Sequence, residues 1–226
     1  MLKRIRDFLA IIFVGMVIIA GFDIALERSW DNYNYISVAK KSAVDHVVKI
    51  ELKKEGITFS SGTGFHMRYQ NRVVLVTNKH VCDPLDKGFT LSTENMESLE
   101  VIKRSENHDL CLLKSDRDTG IELAQKPSRV MDEVILVGHP RGLPLVVRHG
   151  HVMSNETIDP DWLETGEIRG QIISTTTYGG SSGSPVINRY GKVVGVLFAG
   201  SRVHHTEGFM VPWEALQLFL KSTLSE

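Results

Sequence analysis

Gly179-Gly180-Ser181-Ser182-Gly183-Ser184-Pro185-Val186 is the stretch that decides the reading of this chain. Ser182 lies two residues after Gly180 and directly before Gly183, and Pro185-Val186-Ile187 then opens an apolar run of strand character. A serine hydroxyl attacks a carbonyl only when a neighbouring base takes its proton. Glycines beside it let the backbone bend sharply, which presents the hydroxyl and turns nearby N–H groups toward one point. The run therefore suits a nucleophile with its own oxyanion hole, formed by the backbone N–H groups of Gly180 and Ser182. Ser181 and Ser184 compete for the role, but only Ser182 has both flanking glycines in place. Gly/Ser-rich turns are common, so the reading depends on a base and a carboxylate elsewhere.

Both are found upstream, each beside an apolar run. Val73-Val74-Leu75-Val76-Thr77 reads as a buried strand that runs through Asn78-Lys79 into His80, and Asp109 opens a second buried strand, Leu110-Cys111-Leu112-Leu113. His80 would serve as general base and Asp109 as the group that orients it. A Ser–His–Asp set is defined by spatial roles, but the order His80, Asp109, Ser182 separates fold classes. In α/β-hydrolases the serine comes first, on a strand-to-helix elbow. Here it comes last and is followed by a strand, which disfavours an esterase of that class.

Together these segments resemble the trypsin-like serine proteases, most closely the HtrA/Deg group of bacterial envelope proteases. The resemblance is carried by Ser61-Gly62-Thr63-Gly64-Phe65, Val76-Thr77-Asn78-Lys79-His80-Val81, Asp109-Leu110-Cys111-Leu112-Leu113, Val137-Gly138-His139-Pro140-Arg141-Gly142 and Gly180-Ser181-Ser182-Gly183-Ser184-Pro185. Gly191-Lys192-Val193-Val194-Gly195-Val196 and Gly208-Phe209-Met210-Val211-Pro212 complete it. The chain departs from the HtrA pattern at Ser184, where a second glycine is usual, and at Ser181, where Asn or Asp is usual. A PDZ-like extension after Glu226 is not expected. The resemblance implies two six-stranded antiparallel β-barrels, with His80 and Asp109 on the first and Ser182 on the second. It also implies a serine endopeptidase that forms an acyl-enzyme on protein substrates without metal or other cofactor, and a homotrimer by analogy. The alternative on the same fold is an inactive, chaperone-like binding module.

The same resemblance places the substrate pocket at Thr176 and Thr177 before the serine and at Leu197-Phe198-Ala199 along its wall. No acidic residue or histidine stands there, so a small or medium apolar residue is the expected cleavage preference. Cys82 and Cys111, the two cysteines of the chain, each follow a triad candidate by two residues. If His80 meets Asp109 the cysteines are neighbours, which leaves open a disulfide in an oxidising compartment or two buried thiols.

Composition fits this class. A formal net charge of -1 over 226 residues gives no electrostatic footprint for nucleic acid. Short Val/Ile/Thr-rich runs between Gly, Asn and Asp clusters read as eleven strands: 44–52, 58–67, 72–77, 89–92, 110–114, 134–137, 146–152, 172–175, 185–188, 193–198 and 208–211. Helical spacing is confined to the tail, where Leu216, Phe219 and Leu220 share a face that is expected to pack on the second barrel. His149, His151, His204 and His205 do not complete a metal-ligand set by spacing, and His108 is expected to be exposed.

The N-terminus reads separately. Lys3, Arg4 and Arg6 precede an unbroken apolar run from Phe8 to Phe22. Its length lies between a signal-peptide core and a full membrane span. The absence of a small-x-small cleavage site favours an uncleaved, single-pass signal anchor over residues 1–26, against a cleaved signal. Residues 27–42 would form a stalk and 43–226 the protease domain, facing outward and periplasmic in a Gram-negative cell.

Overall fold

The computed structural model describes residues 16–17, 35–39, 41–154, 170–201 and 206–224. Contacts divide the chain into Met1–Ser37 and Val38–Glu226. The anchor expected over 1–26 lies almost wholly outside the described residues, among which no helix is long and apolar enough to cross a membrane. Residues 38–42, read from sequence as stalk, belong to the larger unit. Ala39 and Ala43 are buried, and Ser42 occupies the space beside Gly191.

The larger unit contains two curled sheets. The first comprises β1 (Val47–Lys54), β2 (Ile57–Tyr69), β3 (Arg72–Thr77), β4 (Thr90–Ser92), β5 (Val101–Arg104), β6 (Cys111–Lys114) and β7 (Ile121–Glu122). Its order is β4-β1-β2-β3-β6-β5, and β7 pairs with β2 in parallel. The second comprises β8 (Glu133–Gly138), β9 (Val146–His151), β10 (Gln171–Ile173), β11 (Pro185–Asn188), β12 (Val193–Gly200) and β13 (Gly208–Pro212), in the order β10-β13-β12-β11-β8-β9. Backbone bonds draw the ends of each sheet together: Leu99 N–H donates to Leu91 O in the first, and Met153 N–H to Ile172 O in the second.

Two strands exceed the expected set: β5 completes the six-stranded path of the first sheet, and β7 pairs with β2 off that path. β5 escaped notice because Ile102 and Lys103 are exposed, and β7 because it is two residues long. Val44–His46 forms a 3-10 turn and not the start of a strand.

Each sheet closes over its own apolar interior. Ile50, Leu75, Leu91, Leu99 and Leu113 fill the first, and Val134, Leu136, Val186, Val194, Leu197 and Met210 the second. The C-terminal helix α2 (Trp213–Leu224) lies against β12 and β13. A twelve-residue helix is marginal alone in water. Burial of Leu216, Phe219 and Leu220 contributes roughly 1.5–3 kcal/mol each, so docking holds it on the sheet. Trp213 adds a 2.7 Å bond from its indole N–H to Ala124 O.

Candidate active site

His80 stands on a short helix, α1 (Lys79–Cys82), which the apolar pattern before it does not reveal. β3 and β6 are adjacent antiparallel strands with Thr77 opposite Cys111, so the residues just beyond the pair, His80 and Asp109, meet at one sheet end. Asn78, fully buried, donates its side-chain amide to Asp109 O at 2.8 Å and ties the two chain segments together. Cys82 and Cys111 form a disulfide that joins α1 to β6 just behind this contact.

Asp109 is 4% exposed and commits both carboxylate oxygens to His80. Oδ1 accepts the His80 backbone N–H at 2.9 Å, and Oδ2 meets His80 Nδ1 at 2.5 Å. A carboxylate accepts, so Nδ1 carries the hydrogen and Nε2 keeps its lone pair for another proton. The ring itself is open to solvent on its other side, with 48% of the side chain exposed.

The turn that carries Ser182 is held from three directions. Gly183 N–H donates to Leu197 O, Ser181 N–H to Tyr178 O, and Thr63 N–H of β2 reaches across from the first sheet to Ser182 O at 2.8 Å. Gly180 and Gly183 have φ of +86° and +87°, in the left-handed region that favours glycine. A Cβ on Gly183 would also collide with Thr63 O and Thr77 Oγ1, and one on Gly180 would press on His139 O at 2.8 Å. The three candidate serines separate clearly. Ser181 and Ser184 are buried, whereas Ser182 is partly exposed and lines a cavity of about 170 Å³ together with His80 and Gly180. Ser182 Oγ bonds Phe198 O at 3.4 Å, and no hydrogen bond joins it to His80 among the described residues. Catalytic hydrogen bonds are often long or unmade before substrate binds. The Gly180 and Ser182 N–H groups make no backbone hydrogen bond among the described residues.

Thr63 is the site residue that pattern reading missed. Its side chain is buried, its Oγ1 donates to Gly180 O at 2.8 Å, and the same oxygen accepts His139 N–H at 3.0 Å. It therefore links the Ser182 turn to the turn Pro140–Gly142, whose Arg141 N–H donates to Gly179 O at 2.6 Å. The guanidinium groups of Arg141 and Arg148 lie 4.2 and 5.1 Å from the centre of the Tyr178 ring, and Arg148 also donates to Thr176 O. The only advance signal for Thr63 was its place inside Ser61–Phe65.

A second cavity of about 260 Å³ adjoins Ser182. Thr177, Leu197 and Ala199, three of the five residues named from the sequence, line it along with Tyr178, Gly200 and Ser201. Thr176 and Phe198 do not line it: Thr176 offers its carbonyl to Arg148, and the Phe198 side chain is buried against Phe209. The pairing of β12 with β13 shifts register between Leu197 and Ala199, so Phe198 is the extra residue of a bulge and its side chain goes to Phe209 instead of the cavity. His108 is half-buried and not exposed, and burial lowers its basicity. His204 and His205 lie outside the described residues.

A family model described as a trypsin-like peptidase domain matches residues 62–196. Among curated proteins, a pro-apoptotic serine protease NMA111 of Lodderomyces elongisporus is 30% identical over 88% of this chain and 22% of its own length. The magnetosome formation protease MamE of Paramagnetospirillum magneticum is 29% identical over 72% of this chain and 23% of its own. The chain thus spans about a fifth of the length of these relatives. Among solved structures, the serine endoprotease from Yersinia pestis superposes with a TM-score of 0.67 at 20% identity, covering 85% of this chain and 67% of that one. The active form of the Rv3671c protease from M. tuberculosis gives 0.66 at 20%, covering 83% and 84%.

Proposed function

From the premise that the chain belongs to the trypsin-like peptidase family, we propose that it is a serine endopeptidase in which Ser182, His80 and Asp109 act as the triad. The observation that carries this reading is Asp109's double grip on His80, which leaves Nε2 as the base beside the cavity that Ser182 shares. His80 Nε2 takes the Ser182 proton as Oγ attacks a peptide carbonyl, and the N–H groups of Gly180 and Ser182 receive the developing oxyanion. The tetrahedral adduct collapses, His80 passes the proton to the leaving amine, and an acyl-enzyme remains. Water, activated by His80 in turn, releases the acid and restores the serine.

The cavity lined by Thr177, Leu197 and Ala199 carries no carboxylate, imidazole or cationic side chain, which favours a small or medium apolar residue at the cleavage position. The basic cluster and the apolar run from Phe8 to Phe22 support a membrane-anchored enzyme facing out of the cytoplasm, where it would act on unfolded or regulatory envelope proteins. Digestion of a denatured protein substrate tests the reading. Cleavage after apolar residues that disappears in Ser182→Ala is the expected result. Cleavage that survives the substitution, or a strong Lys/Arg or Glu preference, would contradict it. A wild type that binds denatured protein without cutting it would favour the binding-module alternative, for which the Ser182–Phe198 bond is the supporting observation.

A further inference from the structure

We propose that Glu133, His149 and His151 form a binding site for a divalent transition metal of the zinc class on the outer wall of the second sheet. One ligand atom from each lies within 4.8 Å of the others. The pairing of β8 with β9 creates the cluster. His149 and His151 are two residues apart on β9, so their side chains leave the same face, and Glu133 stands directly opposite His151 on β8. The alternate residues of β8, Val134 and Leu136, point into the core, which puts the three ligands on the outside. The sequence shows the His-x-His pair but not the carboxylate, which only the strand register supplies.

The backbone beneath the cluster is already fixed. β9 is laddered to β8 on one side, and on the other His151 N–H donates to Ser174 Oγ at 2.9 Å while Ser174 N–H donates to His151 O at 2.8 Å. Ligands about 2.1 Å from a tetrahedral zinc ion lie about 3.4 Å apart, so closing from 4.8 Å is a matter of side-chain rotation. Two imidazoles and one carboxylate suit zinc, whereas hard cations such as magnesium prefer all-oxygen sets. Three protein ligands leave the fourth position for water. Bound metal would brace β9, whose Arg148 projects to the opposite face and holds Thr176 O and the Tyr178 ring ahead of the nucleophile turn.

Calorimetric titration of the full chain with zinc chloride, in parallel with magnesium chloride, tests the site. The expected result is one zinc ion bound per chain, with affinity lowered at least about tenfold in each of His149→Ala, His151→Ala and Glu133→Gln, and no magnesium binding. Zinc should also raise the melting temperature of the wild type and not that of the His149→Ala/His151→Ala double variant. Circular dichroism of the metal-free variants matching the wild type shows that they fold. Zinc binding of equal strength in the double variant, no zinc binding by the folded wild type, or equal binding of magnesium would each overturn the proposal.

Discussion

Ser182 reacts, on this account, because neighbouring residues hold it in place, and the strongest expectations concern those neighbours. Asp109→Asn keeps the shape of the His80 contact but presents a donor where an acceptor is needed, which traps the wrong tautomer. Turnover should drop on the order of 10⁴-fold with little change in KM. Thr63→Val removes the hydroxyl that joins Gly180 to His139 while preserving shape. It should lower kcat by roughly tenfold or more and leave KM for short peptides nearly unchanged, as expected for a residue that positions the oxyanion turn. A fall in KM-governed binding alone would argue against that role. Gly183→Ala would put a side chain at φ +87° against Thr63 O. A loss of about 2–4 kcal/mol in urea unfolding should follow, from left-handed strain plus a clash with backbone. Ser184 fits because the facing residue is Gly138, and its buried hydroxyl has no hydrogen-bond partner among the described residues.

At the scale of elements, the site is two rigid pieces: α1 and the start of β6 on the first sheet, and the turn before β11 on the second. The disulfide ties α1 to β6 across a sequence separation of 29 residues. Closing a loop of that length in the unfolded chain is worth about 3–4 kcal/mol. The Cys82→Ser/Cys111→Ser pair should therefore unfold at correspondingly lower urea concentration, and activity should decline with it as His80 loses its anchor. Equal stability in the double variant would mean that the bond is absent in solution. Much at this scale was legible in the sequence. Alternating or continuous apolar runs exposed eleven strands, and the glycine-flanked serine, a histidine and an aspartate stood out as punctuation between them. What escaped was whatever depends on pairing across the chain. α1 has four residues and no periodicity to show. Thr63 looks like any strand threonine until β2 is seen beneath the nucleophile turn. The register shift at Phe198 and the pairing of Glu133 with His151 are matters of strand partnership, which a single strand does not display.

For the molecule as a whole, buried histidines set a floor on the pH at which the fold is stable. His66 is 2% exposed, its Nδ1 lies 2.8 Å from Ser115 Oγ, and burial pushes its pKa down from 6.5 to about 4, with Asp116 opposing. Its folded value lies below its unfolded one, so between those values the unfolded chain takes up a proton that the folded chain refuses. Stability then rises with pH through that window and is lost on acidification from about 6.5 toward 4. The share due to His66 is on the order of 3 kcal/mol, set by burial of the ring. His46, His108, His139 and His149 are lowered by burial as well and act in the same direction. Urea midpoints at pH 7.5 and 4.5 should differ accordingly, and His66→Gln should shrink the difference. The two sheets, the helix on β12 and β13, and the bonds from Thr63 to the nucleophile turn all converge on one serine. Its reactivity is best read by labelling the full chain with a fluorophosphonate and mapping the adduct by mass spectrometry. One adduct per chain is expected, on Ser182, absent in Ser182→Ala and strongly slowed in His80→Ala. An adduct on Ser181 or Ser184, labelling indifferent to His80, or a folded wild type that takes no label would contradict it.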